Sequence, residues 1–168
     1  MDKTLEPVWY ALYTRSRHEK FVRAELQKRR IEAFLPTRRV QRRWSDRTVT
    51  LEEPLFKSYL FVKTDFSRPA DVLSAKGAVR FVSAGLRPIP IREELIVSLR
   101  VAIQNQMTLD PFPYLNQGDR VFIKSGIFKG LEGFILRKDG PRCRLVISID
   151  AMMASVSVEV DSCLVEKV

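Results

Sequence analysis

Two periodicities run through the chain. Up to residue 107, short apolar runs alternate with segments whose hydrophobic positions recur every three or four residues, and beyond it the β-like period of two takes over. "WYALYT" (9–14) reads as an aromatic-rich strand, and "SRHEKFVRAELQKRR" after it reads as a helix. Ser16 and Glu19 stand at capping-box spacing at its start. At 100° per residue Val22 and Leu26 point one way with Phe21 at the edge, while Arg17, Lys20, Arg23 and Arg30 cluster opposite. The helix therefore has a core face and a basic face. "KSYLFVKT" is a strand with Tyr59 and Phe61 on one face and Leu60 and Val62 on the other, so both faces are apolar. If helices hide one face, the other must be covered internally or await a partner. "AVRFV" (78–82) adds a short strand and residues 67–74 a short helix. "REELIVSLRVAIQNQ" closes the segment as a helix, with Leu95, Ile96, Leu99, Ala102 and Ile103 directed to the core.

Pro111 and Pro113 make "TLDPFPYLN" (108–116) a linker, because proline cannot sit inside a helix and favours extended backbone. Beyond it "RVFIK", "GFILRK", "RLVISID" and "SVSVEVD" are short strands separated by turns such as "KDGPR". The alternating valines and isoleucines of the last two favour strand on every local measure. About 50 residues of this kind fit a small closed barrel, which leaves no exposed edges. The expected organisation is an α+β chain with a first domain over 1–107, a linker over 108–116 and a barrel over 117–168.

Composition changes this picture in three ways. A hydrophobic content of 45% supports a packed core. No run approaches the roughly 18 apolar residues of a membrane span, and the charged, proline-bearing start over residues 1–7 lacks a signal peptide's apolar stretch, so a cytoplasmic protein is expected. With one histidine, His18, and two separated cysteines, Cys143 and Cys163, no metal site, triad or cofactor site can be assembled, and each thiol is expected buried and reduced. The net charge of +9 is unevenly placed: residues 1–107 hold 21 Lys and Arg against 12 Asp and Glu, and residues 108–168 hold 8 of each. A polyanion would meet the first segment. There "PTRRVQRRWSDRTVT" puts Arg38, Arg39, Arg42, Arg43 and Arg47 in a hairpin turning at "SDR", with Trp44 beside them. Arginine forks suit phosphate and an indole suits a base, although an exposed hairpin also tolerates arginine for solubility.

"GDRVFIKSGIFKGLEG" (118–133) raises the question of a phosphate-gripping loop. A P-loop needs GxxxxGK[ST], whereas here Lys129 precedes Gly130 and Leu131 follows it. A strand from "GDRV", then "SGIFKGLEG", then another strand resembles instead the KOW motif of the NusG-type transcription elongation factors. In order upstream, "WYALYTRSRHEKFVRAEL", "EPLFKSYLFV" and "GAVRFV" resemble the signature segments of the NusG N-terminal domain. The arginine-rich hairpin before "EPLFKSYLFV" is most similar to the specialised RfaH-like paralogues.

The resemblance implies an N-terminal antiparallel sheet flanked by helices, followed by a five-stranded SH3-like KOW β-barrel whose glycines serve turns and close packing. It implies a monomeric, non-enzymatic transcription elongation and antitermination factor without cofactor. Such a factor sits on the clamp helices of the largest RNA polymerase subunit, suppresses pausing, and recruits a small-subunit ribosomal protein or Rho through the KOW domain. Carried onto this chain, the polymerase surface falls on Tyr13, Tyr59, Phe61 and Phe81, and the KOW partner surface on Ile127 and Phe128. Arg15, Arg17, His18, Lys20 and Arg23 would then face the non-template DNA strand, with Arg42 and Arg43 of the hairpin as competing candidates. The alternative is an RNA-binding or ribosome-associated KOW protein, for which the basic segment would hold rRNA. That reading leaves the apolar Tyr59 and Phe61 face unexplained.

Overall fold

A computed structural model describes residues 6–168; of the segment expected to exclude a signal peptide, residues 1–5 lie outside the described residues. In chain order the strands and helices are β1 (Val8–Thr14), α1 (Glu19–Lys28), β2 (Ala33–Phe34), β3 (Thr37–Arg43), β4 (Thr48–Pro54), β5 (Tyr59–Thr64), α2 (Pro69–Leu73), β6 (Ala78–Phe81), β7 (Ser83–Ala84), β8 (Arg87–Pro88), β9 (Pro90–Ile91), α3 (Glu93–Gln104), β10 (Leu109–Phe112), β11 (Asp119–Ile123), β12 (Glu132–Asp139), β13 (Arg142–Ile149), β14 (Ala154–Asp161) and β15 (Val165–Lys167). The chain is mixed α/β and mostly sheet. It divides into two compact units: Met1–Leu35 with Phe56–Glu93, and Pro36–Leu55 with Glu94–Val168.

The first unit is built on an antiparallel sheet ordered β2-β5-β1-β6, with β9 also paired to β1. Register follows the alternation of side chains: Leu12 stands opposite Leu60 and Tyr13 opposite Tyr59. Leu12, Leu60, Val62 and Phe81 face one side and join Val22 and Leu26 of α1 and Val72 of α2 in a continuous core. Helix α1 ends on a left-handed Arg30 (φ 59), which lets the Ile31 N–H return to the Leu26 carbonyl at 3.0 Å.

The second unit holds the β3–β4 hairpin, most of α3 and a six-stranded sheet ordered β10-β14-β13-β12-β11-β15. Residues 144–160, expected as strands, lie largely in β13 and β14, paired from Arg142↔Asp161 to Ile149↔Ala154. The expected linker is ordered differently: Leu109–Phe112 is a strand paired with β14, and only the residues after it up to β11 lack regular structure. Pro111 is tolerated because β10 is an edge strand. The division of the chain also departs from a break after residue 107. Two contacts show why: Arg38 of the hairpin bonds Asp110 of β10 at 2.9 Å, and the Ser98 hydroxyl of α3 donates to the Ile127 carbonyl at 2.8 Å. Along α3, Leu95, Ile96, Leu99 and Ala102 are buried as their spacing predicts, while Ile103 is only half-buried.

Candidate functional site

The sheet of the first unit carries a row of three side chains at the ends of adjacent strands. Tyr59 on β5, Tyr13 on β1 and Arg80 on β6 are set side by side by the pairings Tyr13↔Tyr59 and Tyr13↔Arg80. The two rings lie 5.3 Å apart at 55°, and the Arg80 guanidinium sits 5.4 Å from the Tyr13 ring centre. Both tyrosines are half-buried and Arg80 is exposed, so the row presents aromatic surface capped by a cation.

Phe61 and Phe81, expected to extend this surface, do not reach it. Phe61 shares the face of Tyr59 but is 0% exposed, packed against Phe34 and Phe56 at about 6 Å between ring centres. Phe81 lies on the opposite face, because β6 pairs Leu12↔Phe81 and Tyr13↔Arg80; its ring meets Phe66 at 4.7 Å inside the core. Alternation along "AVRF" places Arg80 out of phase with Phe81, and that signal identifies the residue the sequence reading missed.

The turn beneath the row departs from the expected capping box. Helix α1 begins at Glu19 with His18 as its N-cap and no side-chain cap, because Arg17 adopts a left-handed φ of 64 that separates Ser16 from the helix. Glu19 turns inward, is 5% exposed, and accepts the Ser58 N–H at 2.7 Å. Ser58, itself at φ 66, immediately precedes Tyr59, so the carboxylate holds the backbone that aims the ring. Among the expected DNA contacts, Arg15, Arg17 and Lys20 are exposed and Arg23 is half-buried. His18 is committed locally. Its Nδ1 lies 2.9 Å from the Ser16 carbonyl, and its ring packs so closely on Gly77 (φ +99) that a Cβ there would fall 2.9 Å from the His18 Cβ.

In the second unit the glycine-rich turn is packed rather than open. Phe128 is 2% exposed, and Ile127 is half-buried with its carbonyl occupied by Ser98. The expectation of an exposed Phe128 is thus corrected: it is the largest fully buried side chain of the second unit, whose core holds no other aromatic ring among the described residues. Gly133 fits close backbone packing, since a Cβ there would lie 2.9 Å from the Val146 carbonyl oxygen. In the hairpin, Arg42 and Arg43 are both exposed, and Arg42 is ion-paired with Glu53 at 3.0 Å. Cys143 is buried as expected, and burial pushes its thiol above the ordinary range; Cys163 is exposed, against expectation. No group of His, Cys, Asp and Glu among the described residues could hold a metal ion, and no helix among them is long and apolar enough to cross a membrane.

A protein-family model described as "Transcription termination factor nusG" matches residues 7–100, more than half of the chain. The chain belongs to the NusG family. It is similar to the transcription termination/antitermination protein NusG of Borreliella burgdorferi, 26% identical over 180 residues and covering 95% of this chain and 98% of that one. The NusG of Thermus thermophilus is 25% identical over 175 residues, covering 91% and 94%. A solved structure, "Domain interaction in Thermotoga maritima NusG", matches with a TM-score of 0.62 at 24% identity over 98% of this chain and 99% of that one, a likeness of fold. The matched NusG region takes in the whole Tyr13–Tyr59–Arg80 row and the basic turn before α1.

Proposed function

We propose that this chain is a transcription elongation and antitermination factor that docks on the clamp helices of the largest RNA polymerase subunit through Tyr13, Tyr59 and Arg80. The observation that carries the reading is the half-exposed tyrosine pair under a guanidinium: aromatic area on an ordered sheet is the usual anchor of a protein interface. Phe61 backs this surface from below. Arg15, Arg17, Lys20 and Arg23, on the turn and helix beside it, meet the non-template DNA strand through its phosphates. His18 braces their turn against Gly77.

The C-terminal strands act as a KOW barrel. Ile127, supported by the buried Phe128, marks the surface that recruits a small-subunit ribosomal protein or Rho. The protein works as a cytoplasmic monomer without catalytic activity. "EPLFKSYLFV" and the preceding arginine hairpin support a place among the specialised RfaH-like factors.

The test is capture of RNA polymerase from lysate by the full chain, compared with a Tyr13→Ala/Tyr59→Ala variant and probed in parallel for ribosomal proteins. Truncating aromatic anchors costs ~2 kcal/mol or more each, so the variant should lose polymerase while keeping its circular dichroism spectrum. Equal capture by the folded variant would refute the docking surface. Co-sedimentation of the wild type with ribosomal subunits, in the absence of transcription and without polymerase, would favour the ribosome-associated alternative.

A further inference from the structure

The β3–β4 hairpin is a two-stranded sheet of its own. Among the described residues each strand pairs only with the other, from Thr37↔Pro54 to Arg43↔Thr48. Its base is fastened: the Leu55 N–H donates to the Pro36 carbonyl at 2.8 Å, and the Arg38 guanidinium meets Asp110 at 2.9 Å. Its tip is closed by the backbone, where the Trp44 N–H donates to the Arg47 carbonyl at 2.7 Å. A ribbon of two strands is marginally stable in water unless something packs on one of its faces.

The two faces are unlike. Alternation and register gather Arg39, Gln41, Arg43, Thr48, Thr50 and Glu52 on one face, all polar and all exposed. The other face carries Val40, Val49 and Leu51, each half-buried, and runs on through Arg42 to Trp44 and Arg47 at the tip. Trp44 is 49% exposed, with the Arg47 guanidinium 5.6 Å from its ring centre, although the turn is closed without the indole. The apolar stripe therefore ends in an open aromatic ring flanked by a cation.

The composition of that face selects the kind of partner. Valine and leucine offer nothing to a phosphate or a base edge, and Glu53, bonded to Arg42 at 3.0 Å, adds a carboxylate to the same face. Tryptophan and arginine beside aliphatic side chains are instead the usual centre of a protein interface. From residue 42 to residue 49 three arginines stand against one aspartate, so the complementary surface is acidic.

We infer that the Val40, Val49 and Leu51 face of the hairpin, with Trp44 and Arg47 at its tip, docks a protein that presents an apolar groove edged by carboxylates. The indole fills the groove, Arg47 meets a carboxylate at its edge, and the bound partner gives the ribbon the cover that two strands lack. This surface lies in the second unit and is additional to the Tyr13–Tyr59–Arg80 row of the first.

The experiment places a photo-cross-linking residue at Ser45, exposed beside the indole, in the full chain inside living cells. A protein adduct that survives nuclease is expected, its cross-linked peptide carrying Asp or Glu next to apolar residues. Trp44→Ser and Arg47→Glu should each lower its yield about tenfold, as loss of an interface anchor does. Arg39→Glu/Arg43→Glu, on the opposite face, should leave the yield within about twofold. Arg47→Glu removes no apolar surface and carries the test should Trp44→Ser disturb the ribbon. The inference is overturned by the absence of an adduct, by an adduct that nuclease removes, by a yield indifferent to Arg47→Glu, or by an equal loss from the opposite-face variant.

Discussion

Tyr13 and Tyr59 in the first unit and Phe128 in the second are large rings near basic residues at strand ends or turns, yet they meet solvent differently. The tyrosines remain half-buried, while Phe128 is 2% exposed. In the first unit α1 and α2 already supply one face of the sheet with a core of leucines, valines and Phe81, so rings at the strand ends are not needed there. The tyrosine hydroxyls also make partial exposure tolerable. The core of the second unit holds no other aromatic ring among the described residues, and Phe128 is its largest fully buried side chain, so leaving it outside would open a void that the surrounding structure could fill only in part. Whether an aromatic residue is a contact or a core member depends on whether other side chains of its own unit already fill the place its ring would take.

The largest test of this contrast is Phe128→Ala. Truncating a fully buried phenylalanine costs about 3–5 kcal/mol, so urea denaturation should show the second unit unfolding at much lower denaturant, while Tyr59→Ala shifts stability by under about 1 kcal/mol. Equal losses for the two would make Tyr59 core and erase the contrast. Next in size is Glu19→Ala, which leaves the half-buried Ser58 N–H without its acceptor; a loss of about 1 kcal/mol is expected, with broadened Tyr59 ring resonances by NMR. Unchanged resonances would show that the turn is held without the carboxylate. Smallest is Arg80→Gln, which removes the cation over Tyr13 at a cost of about 0.5–1 kcal/mol, read from the shift in the denaturation midpoint. No measurable change there would leave Arg80 without a role in ordering the pair.

The local patterns carried much of the secondary structure. The period-two runs became β13 and β14, the helical spacing at Leu95, Ile96 and Leu99 became the buried face of α3, and "KSYLFVKT" became a central strand with both faces apolar. What misled was the inference from apolar to available. Phe61 and Phe128 were legible as important rings, but their burial depends on neighbours distant in sequence, Phe34 and Phe56 for the first. Phe81 was misplaced for a nearer reason: the register of β6 against β1 sets its face, and a single-residue slip exchanges it with Arg80. Ser16 and Glu19 matched a capping box in spacing, yet the left-handed Arg17 and the pull of the Ser58 N–H gave Glu19 another use.

By itself the sequence determined periodicity, the position of the charge excess and the ordered motifs of the family, because these are properties of neighbours along the chain. It also set five arginines in one hairpin. Only the tertiary structure decided which of them are spent. Asp110, 72 residues beyond Arg38, pairs with it and with Arg144, and Glu53, brought across by the β3–β4 register, pairs with the exposed Arg42. Arg39 and Arg43 are left outward by the alternation of the same strand. Ion pairing falls off over a few ångströms, so which charges remain for a partner is settled by the three-dimensional arrangement of acids that the linear order keeps far apart.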